Sequence, residues 1–214
     1  MKKLVNKRHA MKRGIPMKRS IILSCIVTAA ILMGCGRSLP LIPNDDADAS
    51  VVEVKKDGSV FCHVEGAFKE SYYDKDSLET FVKSEVEDYN RTHKDAVSVE
   101  AVSVSKERAS VELSFATAAD YGAFEAKEFY MGTVDSAGQN GYRFDVPLFA
   151  PSDAGKALTG EELKELGSKK VVICEEALAL VLPDDVICMT EGVTLIDKST
   201  VTTPGDRVSY IVYK

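Results

Sequence analysis

The chain has 214 residues, with 27 Lys and Arg against 33 Asp and Glu, and a formal net charge of −6. The first 34 residues hold eight basic and no acidic side chains, which leaves 19 Lys and Arg against 33 acids, a net charge of −14, for the remaining 180 residues. Such an acidic balance argues against binding to nucleic acid or to anionic lipid through a basic patch, and 180 residues suit one domain of ordinary size.

The N-terminus has the parts of an export signal. A basic leader precedes an apolar stretch, residues 21–33, which is broken only by Ser24 and Thr28. A helix needs about 20 apolar residues to cross a bilayer, so this stretch suits a signal sequence better than a permanent span. The leader is long, and Met11 and Met17 are alternative starts. Its basic residues are Lys2, Lys3, Lys7, Arg8, Lys12, Arg13, Lys18 and Arg19.

The apolar stretch ends in Leu32-Met33-Gly34-Cys35, which resembles the lipobox of bacterial lipoproteins. In that family a diacylglyceryl group is attached to the cysteine thiol, and a dedicated peptidase cuts the chain just before it. The resemblance implies cleavage between Gly34 and Cys35, lipidation of Cys35, and a place on the outer face of the cell membrane. Two or more acyl chains give stable anchoring where one would be marginal. The alternatives are an ordinary export signal with an incidental cysteine and an uncleaved anchor.

The segment after Cys35 has the composition of a spacer. Residues 36–50 contain two prolines and three aspartates without periodicity, which predicts a disordered tether. Its acidic cluster lacks the alternating ligands, glycine and distal glutamate of a calcium-binding loop. We therefore divide the chain into a signal peptide at 1–34, a lipidated cysteine and tether at 35–50, and one domain at 51–214.

Alternating apolar and polar residues predict two β-hairpins early in the domain. The first turns at Asp57-Gly58, a strong hairpin signal, and the second turns at the charged residues 106–108. The paired runs are 51–56 with 59–65, and 96–105 with 109–116.

A substantial helix is predicted between the hairpins, at about 77–92. Asp76 is its predicted capping residue, with Glu79 three positions later. A second, short helix is expected from Thr117 through Phe124. The first helix carries one apolar stripe, made of Leu78, Phe81, Val82, Val86 and Tyr89.

The C-terminal part of the domain is predicted to be mostly strand. Residues 131–160 are rich in glycine, proline and aspartate and are predicted to form a long loop. Thr159 and Glu162 then form a capping box that opens a short helix ending at Gly167. Five β-branched or aromatic runs follow, at 170–174, 177–182, 186–190, 193–196 and 207–213. The predicted class is α+β: a mostly antiparallel sheet, one main amphipathic helix at about 77–92, and short edge helices.

Two segments approach known catalytic or nucleotide-binding motifs without completing them. Residues 150–157 have the outline of a phosphate loop but lack its first glycine and its magnesium-binding hydroxyl, so we predict no nucleotide. Ser103 and Lys106 match a bare Ser-x-x-Lys pattern, but that chemistry needs the serine at a helix start, and here it lies on an alternating strand. We predict no catalytic residue and no cofactor.

The histidines and the paired acids are equally weak evidence for a catalytic or metal site. Cys62 and His63 are strand neighbours and should point to opposite faces, so they cannot share a proton. A zinc set of His63, His93, Cys174 and Glu175 has no ligand spacing behind it, so we predict no metal site. Acid pairs, of which Glu175-Glu176 and Asp184-Asp185 are examples, are expected to mark solvated turns.

Three cysteines lie in the domain: Cys62, Cys174 and Cys188. An exported location permits a Cys174–Cys188 disulfide. The odd count favours the alternative, three buried thiols that act as small apolar side chains.

The resulting hypothesis is a membrane-anchored extracytoplasmic lipoprotein whose domain binds a protein partner or assists envelope assembly. Its general character is similar to small lipoproteins of Gram-positive gut anaerobes, a resemblance that implies a location and no activity. The alternatives are a surface-tethered hydrolase acting on cell-wall or peptide substrates, and a small solute-binding lipoprotein. The membrane is the expected partner through the lipid, and nucleic acid is not.

Overall fold

The computed structural model describes residues 50–214, so the predicted signal peptide, Cys35 and the tether before Ser50 lie outside the described residues. The predicted α+β class is confirmed, with four helices and 13 strands in this part of the chain. The helices are α1 (Lys75–Asn90), α2 (Ala118–Glu125), α3 (Val134–Gln139) and α4 (Gly160–Glu165). The strands are β1 (Ser50–Val54), β2 (Val60–Ala67), β3 (Val97–Ser105), β4 (Arg108–Phe115), β5 (Phe129–Thr133), β6 (Leu148–Ala150), β7 (Asp153–Ala157), β8 (Lys170–Cys174), β9 (Leu178–Val181), β10 (Val186–Thr190), β11 (Thr194–Leu195), β12 (Thr200–Thr202) and β13 (Ser209–Tyr213).

The strands form two mostly antiparallel sheets. Sheet A has seven strands in the order β11-β12-β9-β1-β2-β4-β3, and sheet B has six in the order β5-β8-β13-β10-β6-β7. Among these pairs only β1 and β9 are parallel. Sheet A therefore combines both N-terminal hairpins with three strands from the C-terminal third of the chain.

Both predicted hairpins are confirmed. Strand β1 pairs with β2 around the turn at Gly58, whose φ is +90°, and β3 pairs with β4. Along β2 and β4, side chains alternate strictly between buried and partly exposed, as expected for strands with one face on a core. A bulge at Val99/Ala101 interrupts β3, the edge strand of sheet A.

The main helix is confirmed, but its predicted cap at Asp76 is wrong. Asp74 caps α1 instead: its backbone is extended, and its carboxylate accepts a hydrogen bond from the Ser77 N–H at 2.8 Å. Asp76 lies within the first turn, where a negative charge interacts favourably with the helix dipole. At the other end, Asn90 exchanges side-chain hydrogen bonds with the backbone of Val97, at 2.7 and 3.0 Å, which ties the helix end to β3.

The prediction of a long loop at 131–160 is wrong. This region contains β5, α3, β6 and β7. Strand β5 is fixed by pairing with β8, from Phe129 opposite Cys174 to Thr133 opposite Lys170. The phosphate-loop outline is in fact the β6–β7 hairpin, with Phe149 opposite Ala157. The capping box of Thr159 and Glu162 at α4 is confirmed.

Two apolar cores lie on opposite faces of sheet B. The main core joins the inner face of sheet A to one face of sheet B, with α1 and α2 packed against it. A smaller core lies on the other face of sheet B, beneath α3, where it includes Val171, Ile173 and Tyr210. None of the helices in residues 50–214 is long and apolar enough to cross a membrane.

Candidate functional site: a buried acid pair and an exposed aromatic ledge

Of the predicted site residues, two lie outside the described residues and the other two are buried in different cores. Cys35 and Gly34 lie outside the described residues. Cys174 and Cys188 are both free and fully buried, with Cys174 in the main core and Cys188 in the smaller one, so they form no disulfide. Cys62 is also a free, buried thiol of the main core.

Cys62 and His63 point to opposite faces of β2, as predicted. Cys62 is fully buried, whereas the His63 ring lies on the outer face of sheet A, with its Nδ1 3.2 Å from a Glu112 carboxylate oxygen. Glu65 lies on the same face and accepts a hydrogen bond from Arg108 at 2.9 Å. On this outer face the imidazole contacts carboxylates, with Glu112 at 3.2 Å and Glu65 at 3.8 Å.

Ser103 also takes an ordinary structural role. It lies near the end of β3, and its hydroxyl bonds to the Ser110 hydroxyl across the hairpin at 2.8 Å. Within residues 50–214, no group of three or more His, Cys, Asp or Glu side chains is placed to hold a metal ion.

The most unusual chemistry of the domain is two glutamates inside the main core. Glu125 is 2% exposed and Glu176 is 7% exposed. We call them the acid pair. Burial of an ionised carboxylate is costly unless a cation or several hydrogen bonds compensate it. The Glu176 side chain accepts a hydrogen bond from the Tyr121 hydroxyl at 3.0 Å, whereas Oε1 of Glu125 has no partner among the described residues.

Local backbone structure places each member of the acid pair. Glu125 is the last residue of α2, four positions after Tyr121, so both side chains lie on the buried face of that helix. Ala126 follows in the left-handed conformation, at φ +53°, and ends the helix. Glu125 therefore lies at the negative end of the helix dipole, which disfavours its ionised form.

Glu176 lies in the short loop between β8 and β9. Thr203 holds this loop: its hydroxyl donates to the Glu176 carbonyl and accepts from the Leu178 N–H at 3.2 Å. Gly205, at φ +75°, approaches the same loop so closely that a Cβ there would lie 2.5 Å from the Ala177 nitrogen. The position of Glu176 is thus fixed by backbone contacts.

Burial decides the protonation of the acid pair. Desolvation, aided by the charge of Glu176, raises the pKa of Glu125 to about 8. Desolvation also raises the pKa of Glu176, while the hydrogen bond from Tyr121 opposes that change. The fold therefore favours a protonated carboxyl at Glu125 near neutral pH.

The groups around the acid pair are neutral as well. Burial, followed by the charges of both glutamates, raises the pKa of the Cys62 thiol well above its ordinary range. Burial likewise raises the pKa of Cys174 to about 12 and the pKa of Tyr121 well above its usual value. Thiols in this state are poor nucleophiles. Because these side chains are also inaccessible, the arrangement can bind protons but cannot reach a substrate.

Sequence reasoning missed the acid pair. The expectation that Glu175-Glu176 marks a solvated turn holds for Glu175, which is exposed, and is wrong for Glu176. Glu125 had a usable signal, because its spacing from Tyr121 places it on the apolar side of a short helix. Glu176 had no such signal, since only the crossing of the chain between the two sheets buries it.

The most exposed aromatic group lies between β2 and α1. Residue Tyr72 is 76% exposed and residue Tyr73 is 37% exposed. The Phe68 and Tyr73 rings are stacked with centroids 4.8 Å apart, and the Tyr72 ring meets the Tyr73 ring edge-on at 4.9 Å. We call these three residues the aromatic ledge. Next to it along the chain, the first turns of α1 line an open groove of about 490 Å³, formed by Asp74, Asp76, Ser77, Thr80, Phe81 and Ser84.

The described residues thus offer two distinct features, a buried acid pair that no substrate can reach and an accessible aromatic surface. In comparisons with known proteins, no family model, no curated protein and no solved structure matches this chain.

Proposed function

We propose that the chain is a lipoprotein of the outer face of a membrane, anchored through Cys35, and that its domain acts as a binding or assembly module of the cell envelope. The order of basic leader, apolar stretch, Gly34 and Cys35 supports the anchor. Residues 36–50, with two prolines, three aspartates and no periodicity, have the composition of a spacer after the cysteine. The net charge of −14 favours a domain that stands away from anionic headgroups.

The aromatic ledge is the observation that carries the binding role. Tyrosine is enriched among the residues that dominate protein–protein affinity, because its large rigid ring combines apolar area with a polar hydroxyl. Contiguous exposed apolar patches, unlike single exposed residues, mark interaction sites, and Tyr72 and Tyr73 are exposed side by side here. The acid pair and the three thiols are buried, which disfavours a hydrolytic role for them.

Cys35→Ser is expected to remove the lipid anchor. The variant should lose incorporation of a fatty-acid label and change in mass, because a hydroxyl cannot form the thioether. Cys25→Ser, a change within the apolar stretch, is the matched control and should leave the labelling and the mass of the mature protein unchanged. Retention of the Cys35→Ser protein in membranes at an otherwise unchanged mass would refute lipidation at this residue.

Photocrosslinking from the aromatic ledge tests the binding role. A benzoylphenylalanine at position 72 should give a discrete crosslinked species in intact cells, whereas the same group at exposed Ser152, in the β6–β7 turn, should not. For the captured partner, Tyr72→Ala should weaken binding by about 2 kcal/mol, roughly 30-fold. Absence of a species specific to position 72, together with turnover of a wall fragment by the purified protein, would instead favour the tethered hydrolase.

A further inference from the structure

The acid pair lies where the chain crosses between the two sheets. Glu125 ends α2, which connects β4 of sheet A to β5 of sheet B. Glu176 lies in the loop from β8 of sheet B to β9 of sheet A. Thr203, which holds that loop, begins a third crossing, from β12 to β13. Three connections between the sheets therefore meet at one buried acidic site.

From this arrangement we propose that the acid pair is an internal proton-binding site that controls how firmly the two sheets are joined. With a proton bound, α2 and the β8–β9 loop pack together in the main core. On release of that proton, two negatively charged carboxylates are buried in the same apolar environment, and the junction opens so that water can reach them.

The surroundings of the acid pair support this coupling, because no cation forms an ion pair with either glutamate within residues 50–214. Cys62 approaches from β2, Tyr121 from α2 and Cys174 from β8, and burial keeps all three in their neutral forms. Lys127 is the one cation that acts on both glutamates, but its side chain is exposed and forms no ion pair with either within residues 50–214. A second negative charge at this site therefore has no direct ion pair to compensate its burial.

The direction of the pH effect follows from proton binding. An ordinary glutamate has a pKa of 4.5, whereas that of Glu125 is raised to about 8. The closed junction thus holds a proton that the open junction releases, and the two groups titrate as a coupled pair. The bound proton stabilises the closed junction fully below pH 4.5. This stabilisation decreases as the pH rises and is lost above a pH of about 8.

The three thiols of the domain provide a readout of junction opening. Cys62 and Cys174 lie beside the acid pair in the main core, whereas Cys188 lies in the smaller core on the far face of sheet B. Alkylation of each thiol in the full chain, purified in detergent, can be followed by peptide mass spectrometry. An unfolded peptide with the same cysteine corrects for the pH dependence of thiolate formation.

Between about pH 6.5 and 9.5, the protection of Cys62 and Cys174 from alkylation should fall about 30-fold. This is the change expected if the pKa of Glu125 returns from about 8 to 4.5 when the junction opens. Cys188 should change far less. Glu125→Gln, in which an amide replaces the protonated carboxyl, should abolish the fall. Glu87→Gln, an exposed change on α1, should leave it intact.

Glu176→Gln serves as a second variant of the acid pair if Glu125→Gln does not fold, and it should reduce the pH dependence without abolishing it, because desolvation still raises the pKa of Glu125. A pH-independent protection of Cys62 and Cys174 in the unaltered chain would overturn the proposal. So would an equal loss of protection at Cys188, because the whole domain would then be unfolding rather than the junction opening.

Discussion

Gly205→Ala is expected to lower the free energy of unfolding by about 3 kcal/mol. Two effects add: a left-handed backbone costs a non-glycine residue about 1–2 kcal/mol, and forced overlap in a packed region costs a similar amount. At φ +75°, the new Cβ would lie 2.5 Å from the nitrogen and 2.9 Å from the Cα of Ala177. These atoms belong to the backbone of the β8–β9 loop, so they cannot move without displacing Glu176.

Gly58→Ala is the matched control for that effect. Gly58 has a similar left-handed φ of +90°, but a Cβ added there would have nothing within 4 Å. Its substitution should therefore cost only the backbone strain, about 1 kcal/mol. Denaturant unfolding of both full-length variants measures the two losses in the free energy of unfolding. Equal losses would contradict the prediction, because they would mean that the overlap with Ala177 is relieved at no cost.

Phe115→Ala is expected to destabilise the domain by about 4 kcal/mol, since truncation of a buried phenylalanine typically costs 3–5 kcal/mol. Phe115 is 1% exposed on the inner face of β4. Its ring packs edge-on against Tyr121 at 5.2 Å and near Phe124 at 5.5 Å, so it supports the helix that carries Glu125. The cavity would lie between sheet A and α2.

Phe61→Ala tests whether this loss depends on position rather than on residue type. Phe61 lies on the outer face of β2, partly exposed, with the Lys55 ammonium 5.8 Å from its ring centroid. Its truncation should cost about 1 kcal/mol or less, because little apolar surface returns to water. Unfolding midpoints measured at one pH compare the two variants. An equal loss of stability at Phe61 and Phe115 would contradict the assignment of the buried face of sheet A.

Local patterns predicted those elements whose partners are close in sequence. The hairpin around Gly58 and the stripe of α1, with Val82 and Val86 buried, both follow from periodicity within a short window. The start of α1 was misplaced by two residues, since both Asp74 and Asp76 have a capping side chain and only the backbone geometry separates them.

Elements that depend on distant partners could not be predicted in this way. Strand β5 includes Gly132 and lies in a glycine-rich region, and it is a strand because β8, about 40 residues later, supplies its hydrogen bonds. The same is true of the candidate site. Glu176 is buried by the crossing of the chain from one sheet to the other, and no window of sequence around it contains that information.

The position of β1 has a mechanical consequence for a tethered domain. This strand is flanked on both sides, by β2 in an antiparallel ladder and by β9 in a parallel one. A pull that enters the domain at Ser50 and acts along the strand would load both ladders in shear, so many hydrogen bonds must break together. An edge strand would instead peel away one bond at a time. If the chain is anchored through Cys35 as we propose, this placement of β1 suits the domain to stay folded under tension that enters at Ser50.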